Sequence, residues 1–448
     1  MNRSEILFPP QHADLREDVH ALGALVGEIL REQGGPALLE LVEQDRIWAI
    51  RRRDGDPQAG VQLAAHLQDR PPDAARDLVR AFTAWFQVVN IAEKVHRIRR
   101  RRQYFLKEST RPQPGGVEDA LVTLKSRGAS LEEVLALIGD LRIEPVFMAH
   151  PTESTRRTML RKQQRITQLL LDRLDPTLAP NEMRSIAGRL RTELTAAWQT
   201  EDHPREKLTV ADEREHVLFY LVEILYRVVP AFYDEIGQAI EKLYGVPAES
   251  LELPTILRFG SWVGGDMDGN PDVNAKVVRE TLARQQQVIL NAYFAECQSL
   301  VQQLSQSASR ISVSPALSAR IEDYMTLLPS ARTSVSARHD RMPYRVFLAQ
   351  IGARLRHTFD GRANGYAEPR QFRADVQLIA DSLLANKGAH AGLFFVRRLL
   401  RRIDTFGFHV ATLDVRQHSS LHHQMIARGL DDPHWGSRPR VERSLAIA

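Results

Sequence analysis

One cysteine, Cys297, stands in the 448 residues, which excludes an intrachain disulfide and a metal cluster built on cysteine thiolates. It falls within a helical pattern and is read as an inert core thiol. Lysine is scarce: arginine supplies 52 of the 60 basic residues, and its planar fork suits carboxylate and phosphate. Net charge is small, +4 over the whole length, so no strong field for nucleic acid is implied. Uninterrupted apolar runs fall far short of the ~20 residues that a membrane helix needs. The start, Met1-Asn-Arg-Ser-Glu-Ile-Leu-Phe-Pro-Pro10, lacks a basic segment followed by an apolar core, so no signal peptide is read. Internal repeats and low-complexity tracts are missing as well. The expectation is a cytoplasmic protein with no nucleic-acid and no membrane partner.

What is there describes a globular chain, 43% hydrophobic and 26% charged. Most of it reads as amphipathic helix. Leu218, Leu221, Val222, Leu225, Val228, Val229 and Phe232 recur at helical spacing with so little polar surface that deep burial is expected. Leu282, Ile289, Tyr293, Leu300 and Leu304 mark a second long helix. Strand candidates are few: Glu144 to Ala149, Thr255 to Trp262 and His409 to Val415. Long, mostly helical stretches separate them, and parallel strands require helical crossovers of that kind. The fold class is therefore mainly α with an α/β core. Residues 1–140 are expected to be a helical region, and 141–448 to carry the strands with large helical insertions. The end, Val441 to Ala448, reads as a helix start with no stop signal, as a truncated chain would show.

The richest stretch is Val146-Phe-Met-Ala-His-Pro-Thr-Glu-Ser-Thr-Arg-Arg157. An apolar run stops at a histidine and a proline, which suits a strand end or a first helical turn. His150 is placed at the carboxyl end of a strand, and Arg156, Arg157 and Arg161 fall on the helix that follows. Helix starts attract anions, and α/β folds set their chemistry at this edge. A second stretch, Phe259-Gly-Ser-Trp-Val-Gly-Gly-Asp-Met-Asp-Gly-Asn-Pro271, lets backbone approach a ligand closely. It also reads as a plain turn in which Asp266 and Asp268 cap a helix near Pro271. It lacks the closing glutamate of a calcium loop. In the third, Phe406-Gly-Phe-His-Val-Ala-Thr-Leu-Asp-Val-Arg-Gln-His-Ser419, alternation puts Val410, Thr412, Asp414 and Arg416 on one face. Either Asp414 and Arg416 pair with each other, or Arg416 points into a pocket and holds an anion. His418, His422 and His423 supply a single i,i+4 pair, which is weak for zinc, and no metal ligand is assigned.

These three stretches resemble motifs of the phosphoenolpyruvate carboxylases: T-A-H-P-T-E/Q-x-x-R-R, G-S-W-M-G-G-D-R-D-G-N-P and L-D-I-R-Q-E-S. Asn90-Ile-Ala-Glu-Lys-Val-His-Arg-Ile-Arg-Arg-Arg-Arg102 is similar to a fourth, and Ala197 to Glu213 to a fifth. Read alone, the arginine run at 99–102 suggests nucleic acid, but without interleaved aromatics it reads better as a salt-bridged helix. Met267, Pro204 and His418 depart from the family's arginine, arginine and glutamate.

The resemblance implies part of a (β/α)8 TIM-type barrel among many helices. It implies carboxylation of phosphoenolpyruvate by bicarbonate, giving oxaloacetate and phosphate with Mg2+ or Mn2+. His150 matches the essential histidine. Arg416 matches a substrate-side arginine. Arg156, Arg157 and Arg205 match an effector or anion site for sugar phosphates, to which Arg345 is added; dicarboxylates are the other effector class. Homotetramers are implied at full length. The family's F-H-G-R-G-G-T-V-G-R-G-G loop and G-Y-S-D-S segment, near which its metal ligands lie, do not occur in this chain. The chain thus reads as an amino-terminal half, inactive alone, or else as a non-catalytic anion-binding or regulatory relative.

Overall fold

The computed structural model describes residues 12–68, 70–106, 112–148, 156–201, 208–268, 270–328 and 340–447. Helices dominate. In chain order they begin α1 (Ala13–Arg53), α2 (Pro57–Gln68), α3 (Pro72–Leu106), α4 (Val117–Ser126) and α5 (Leu131–Asp140). Strand β1 (Val146–Phe147) precedes α6 (Arg157–Asp172), α7 (Pro180–Trp198), α8 (Val210–Phe219) and α9 (Tyr226–Tyr244). After β2 (Gly260–Ser261) come α10 (Ala275–Gln303), α11 (Pro315–Leu327), α12 (Pro343–Phe359), α13 (Pro369–Ala385) and α14 (Leu393–Phe406). Strand β3 (Thr412–Leu413) leads into α15 (Ser419–Gly429) and α16 (Arg440–Ile447).

Two compact units result, one from residues 1–113 and 153–207, the other from 114–152 and 208–448. Helices α4 and α5, which precede residue 141, group with the strands. The first unit is a helical bundle. Leu22, Val26 and Ile29 of α1 pack with Val88 and Ile91 of α3, Ile166 and Leu169 of α6, and Leu190 of α7. Within α1 the helix breaks at Gly35, whose φ of 80° suits glycine, and Pro36 follows. The arginine run lies on α3, where Arg99 pairs with Asp18 at 2.7 Å and Arg97 with Glu93 at 2.5 Å.

The second unit is built on α10, whose Ile289, Tyr293 and Leu300 are at most 2% exposed. Phe347 and Ile351 of α12 and Val376 of α13 belong to the same apolar core. Local signals start its helices. Ser130 and Glu133 form a reciprocal cap on α5, and Thr209 and Asp212 do so on α8. The cap of α10 is Asn274, accepting from the Lys276 and Val277 amides at 3.0 and 3.2 Å. The expected caps, Asp266 and Asp268, lie upstream of it in a turn.

The segment Val210–Tyr244 is a 35-residue helical run with a hydropathy of 1.3 in its most apolar window, longer and more apolar than the reading of short runs allowed. It serves as a core helix: Leu218, Leu221, Val229 and Ile240 join the central cluster. Burial is not uniform, since Val228 is 51% exposed. Between α8 and α9 the residues Tyr220–Leu225 form a π-helical turn, which inserts a residue and shifts the side-chain register.

The three strands form a parallel sheet in the order β1-β2-β3. Val146 pairs with Gly260, and Gly260 with Thr412. Single bridges at Ile143 with Leu257 and at Asp266 with Arg416 extend it. The strands fall inside the three expected segments, but each ladder is two residues long. Among the described residues the sheet stays at three strands and does not close into a barrel. Alternation on β3 also fails to sort burial: Val410 is 1% exposed while Thr412, on the same predicted face, is exposed.

Candidate active site

Parallel strands present their carboxyl ends along one edge, so the chain after Phe147, after Ser261 and after Leu413 leaves the sheet on the same side. Met148 follows β1 there; His150 lies outside the described residues, as does Arg205. The glycine-rich turn is laid across the end of β3. The Trp262 amide donates to the Phe147 carbonyl at 2.9 Å. Gly265 and Asp266 amides then fold back onto the Trp262 carbonyl, both at 2.9 Å. Arg416 is held by its backbone from both directions: its amide donates to Gly265 and its carbonyl accepts from Met267, each at 2.9 Å.

Two glycines permit this approach. A Cβ on Gly265 would lie 2.3 Å from the carbonyl oxygen of Asp414. Gly264 has a φ of 85°, and a Cβ there would meet Thr281 Oγ1 at 2.2 Å. At Gly264 and Gly265 the turn is therefore pressed against α10 and β3 with no space for a Cβ.

Tight backbone placement brings four side chains into a row. Arg416 Nη1 donates to Asp266 Oδ2 at 3.2 Å, its guanidinium lies 3.8 Å from the Trp262 ring centre, and Trp262 Nε1 donates to Asp414 Oδ2 at 3.2 Å. The expected alternative in which Asp414 pairs with Arg416 is replaced: Asp414 serves the indole, and Asp266 serves the arginine. The Arg416 and Asp266 side chains are 39% and 33% exposed, so the pair is worth only about 0–1 kcal/mol. Stacking on an accessible indole adds about 0.5–1 kcal/mol and fixes the plane of the fork. Nε and Nη2 of Arg416 have no hydrogen-bond partner among the described residues. An arginine so held can receive a carboxylate or phosphate through two parallel N–H groups.

Arg156 and Arg157 occupy the N-cap and first position of α6, in the first unit. That helix has no acidic residue in its first turn and no side-chain cap. Two guanidinium groups thus stand at the positive end of a helix dipole, which favours an anion there. Arg345, on α12, donates through Nη2 to the Gln302 carbonyl at 3.3 Å. Gln302 is near the carboxyl end of α10, roughly 30 Å along the axis from Thr281, which abuts the glycine turn. Arg345 is therefore set apart from Arg416. His418 caps α15 and His423 accepts from Trp435 Nε1 at 3.1 Å. Among the described residues no three His, Cys, Asp or Glu side chains are grouped to hold a metal ion. Sequence reading missed the Asp266–Arg416–Trp262 row. The residues stood in two motifs 150 positions apart, and no local spacing links them.

A parallel α/β edge carrying an oriented arginine is an arrangement chemically suited to a small anion. The phosphoenolpyruvate carboxylase family profile matches residues 15–433. Among curated relatives, Phosphoenolpyruvate carboxylase of Xanthomonas campestris pv. campestris (strain 8004) is 49% identical over 443 residues, 99% of this chain and 48% of the relative. That of Ralstonia nicotianae is 37% identical over 92% of this chain and 42% of its own length. The one from Azorhizobium caulinodans is 35% identical over 94% and 46%. The chain belongs to the phosphoenolpyruvate carboxylase family and spans about half the length of the curated relatives it matches.

Proposed function

We propose that this chain carries the substrate-side half of a phosphoenolpyruvate carboxylase, with β1, β2 and β3 as the first strands of a (β/α)8 barrel. The observation that supports it is Arg416, stacked on Trp262 and held by Asp266 at the carboxyl edge of the sheet with part of its fork unengaged.

In this reading phosphoenolpyruvate and bicarbonate meet at that edge in the cytoplasm. Arg416 binds the phosphate or carboxylate of phosphoenolpyruvate, loosening its pair with Asp266 as it does so. Bicarbonate oxygen attacks phosphorus, the bond to the enol oxygen breaks, and carboxyphosphate and pyruvate enolate form. His150 takes the proton of carboxyphosphate, so that carbon dioxide leaves inorganic phosphate and the enolate carbon captures it as oxaloacetate. A neutral imidazole suits that step because its ordinary titration lies near working pH. The family's Mg2+ or Mn2+ would stabilise charge on the phosphoryl oxygens. The described residues do not group into a site for it, and no step here runs through it. Arg156 and Arg157, with Arg205 and Arg345, are assigned to sugar-phosphate or dicarboxylate effectors, and the full-length enzyme to a homotetramer.

The test is oxaloacetate formation from phosphoenolpyruvate, bicarbonate and magnesium, coupled to malate dehydrogenase and NADH. The chain is assayed alone and with the carboxyl-terminal half of a relative expressed separately. Activity that requires the added half and disappears in His150→Asn supports the proposal. Activity of the chain alone overturns the division of labour between halves. Inactivity in both settings favours the non-catalytic anion-binding reading, toward which Met267, Pro204 and His418 lean.

A further inference from the structure

Arg416 already faces a carboxylate of its own chain, and the contact differs from an ordinary arginine pair. In the same unit Arg284 engages Glu215 through two short bonds, from Nε at 2.7 Å and from Nη2 at 2.9 Å. The side chains of that pair are 38% and 34% exposed, against 39% and 33% for Arg416 and Asp266. At matched exposure Arg416 and Asp266 share a single bond, Nη1 to Oδ2, at 3.2 Å. That is longer than the roughly 2.7–2.9 Å usual for a charge-assisted N–H···O bond.

The cause is that both groups are placed by something other than each other. The backbone bridge between Asp266 and Arg416 fixes where the two side chains start. The Trp262 ring, 3.8 Å away, fixes the plane of the fork. Asp266 also serves its own turn, Oδ1 accepting from the Asp268 amide at 3.3 Å. The carboxylate therefore stands within reach of the fork without squaring up to it. Asp414, on the other side of the indole, adds a second carboxylate to the row. One guanidinium with two carboxylates leaves the row net negative, which opposes an incoming anion.

We infer that Asp266 is an affinity-setting residue: it occupies Nη1 of Arg416 in the empty site and competes with the incoming anion, more strongly the more charge that anion carries. The inference rests on the reading of Arg416 as a substrate-side arginine. A single long bond is easily displaced, and the indole keeps the fork in plane, so one carboxylate exchanges for another without movement of the backbone. Asp266 retakes Nη1 as the anion departs. A fork without this resident would retain a multiply charged oxyanion more tightly.

Calorimetric titration of the whole 448-residue chain at constant ionic strength tests this with two probes. Phosphoenolpyruvate is multiply charged, and acetate carries one charge. Asp266→Asn and Asp266→Ala should both tighten phosphoenolpyruvate by about five- to tenfold and acetate by about threefold or less, since each added charge on the anion adds repulsion from the carboxylate. Arg416→Met should abolish binding of both probes, alone and combined with Asp266→Asn, as required if the gain runs through the fork. Circular dichroism melts verify that each variant folds. Weaker phosphoenolpyruvate binding in both Asp266 variants would mean that the carboxylate orients Arg416, and it overturns the inference. Unchanged affinity, equal tightening of the two probes, or no saturable binding in any form overturns it too. Undiminished binding in Arg416→Met is a separate failure, that of the substrate-side reading, and takes the inference with it.

Discussion

Arg402 Nε donates at 2.9 Å to the carbonyl oxygen of Tyr226, the acceptor that Pro230 leaves without a helical partner. A proline at position i has no N–H for the carbonyl at i−4, and here a side chain from α14 supplies the missing donor. Arg402 is 9% exposed, pairs through Nη1 with Glu296 at 3.1 Å and lies over the Tyr226 ring at 4.7 Å. Removing it leaves a buried carbonyl and a carboxylate unpaired, so Arg402→Met should destabilise the chain by about 2 kcal/mol or more in urea melts. Pro230→Ala restores an amide to the helix and should recover about 1 kcal/mol of that loss in the double variant. Strict additivity of the two changes would show that the proline and the arginine are not coupled.

The glycine turn offers a contrast between backbone and side-chain restraint. Gly265→Ala drives a methyl against the Asp414 carbonyl and should cost about 1–3 kcal/mol, because backbone on both sides must shift. Asp266→Asn removes only an accessible ion pair and should change stability by less than about 1 kcal/mol. Chemical denaturation of both variants checks the order; a larger cost for Asp266→Asn would mean that the side-chain pair, and not the glycine contact, positions Arg416.

Acidification should weaken the first unit through His96. This imidazole is 4% exposed, 3.0 Å from His12, and its pKa is held below the ordinary 6.5, chiefly by burial and then by Arg99 and His12. Asp14 acts in the opposite direction, and Arg100 in the same direction as Arg99. A base that prefers to be neutral when folded binds its proton more readily when unfolded. Its contribution is therefore complete above 6.5 and is lost as pH falls below it. Calorimetric Tm should be level between pH 8 and 7 and decline from there toward 5.5, with a shallower decline in His96→Gln. Burial lowers His216 and His409 as well, so the slope should shrink and not vanish. Superimposable profiles would remove His96 from the account.

Cys297 should be silent toward thiol reagents in the folded chain. It is 1% exposed, and burial pushes its thiol up to about 12, so thiolate is scarce at working pH. With one cysteine in the sequence, a dithionitrobenzoate assay at pH 8 reads this position alone. No release of thionitrobenzoate from native protein and one equivalent after guanidinium unfolding are expected. Rapid release before unfolding would place the thiol at the surface.

The sequence by itself determined the helical character, the position of the three strands, their parallel sense and the buried place of Cys297. These follow from periodicity, from turn residues and from the length of the helical crossovers, all of which are short-range properties. It also marked Arg416 as a residue at a strand's end. Only the tertiary structure decided which acid that arginine meets. Asp414 is two positions away and Asp266 is 150, yet the glycine pair lets the distant turn lie directly on β3, and the backbone bridge between Asp266 and Arg416 then sets their side chains together. The same holds for Asn274 over Asp266 and Asp268 as the cap of α10: all three are good caps, and only Asn274 is placed to accept from the Lys276 and Val277 amides, while Asp266 is tied to Arg416 in the turn upstream. Local chemistry supplies candidates for each role, and burial of backbone against backbone selects among them.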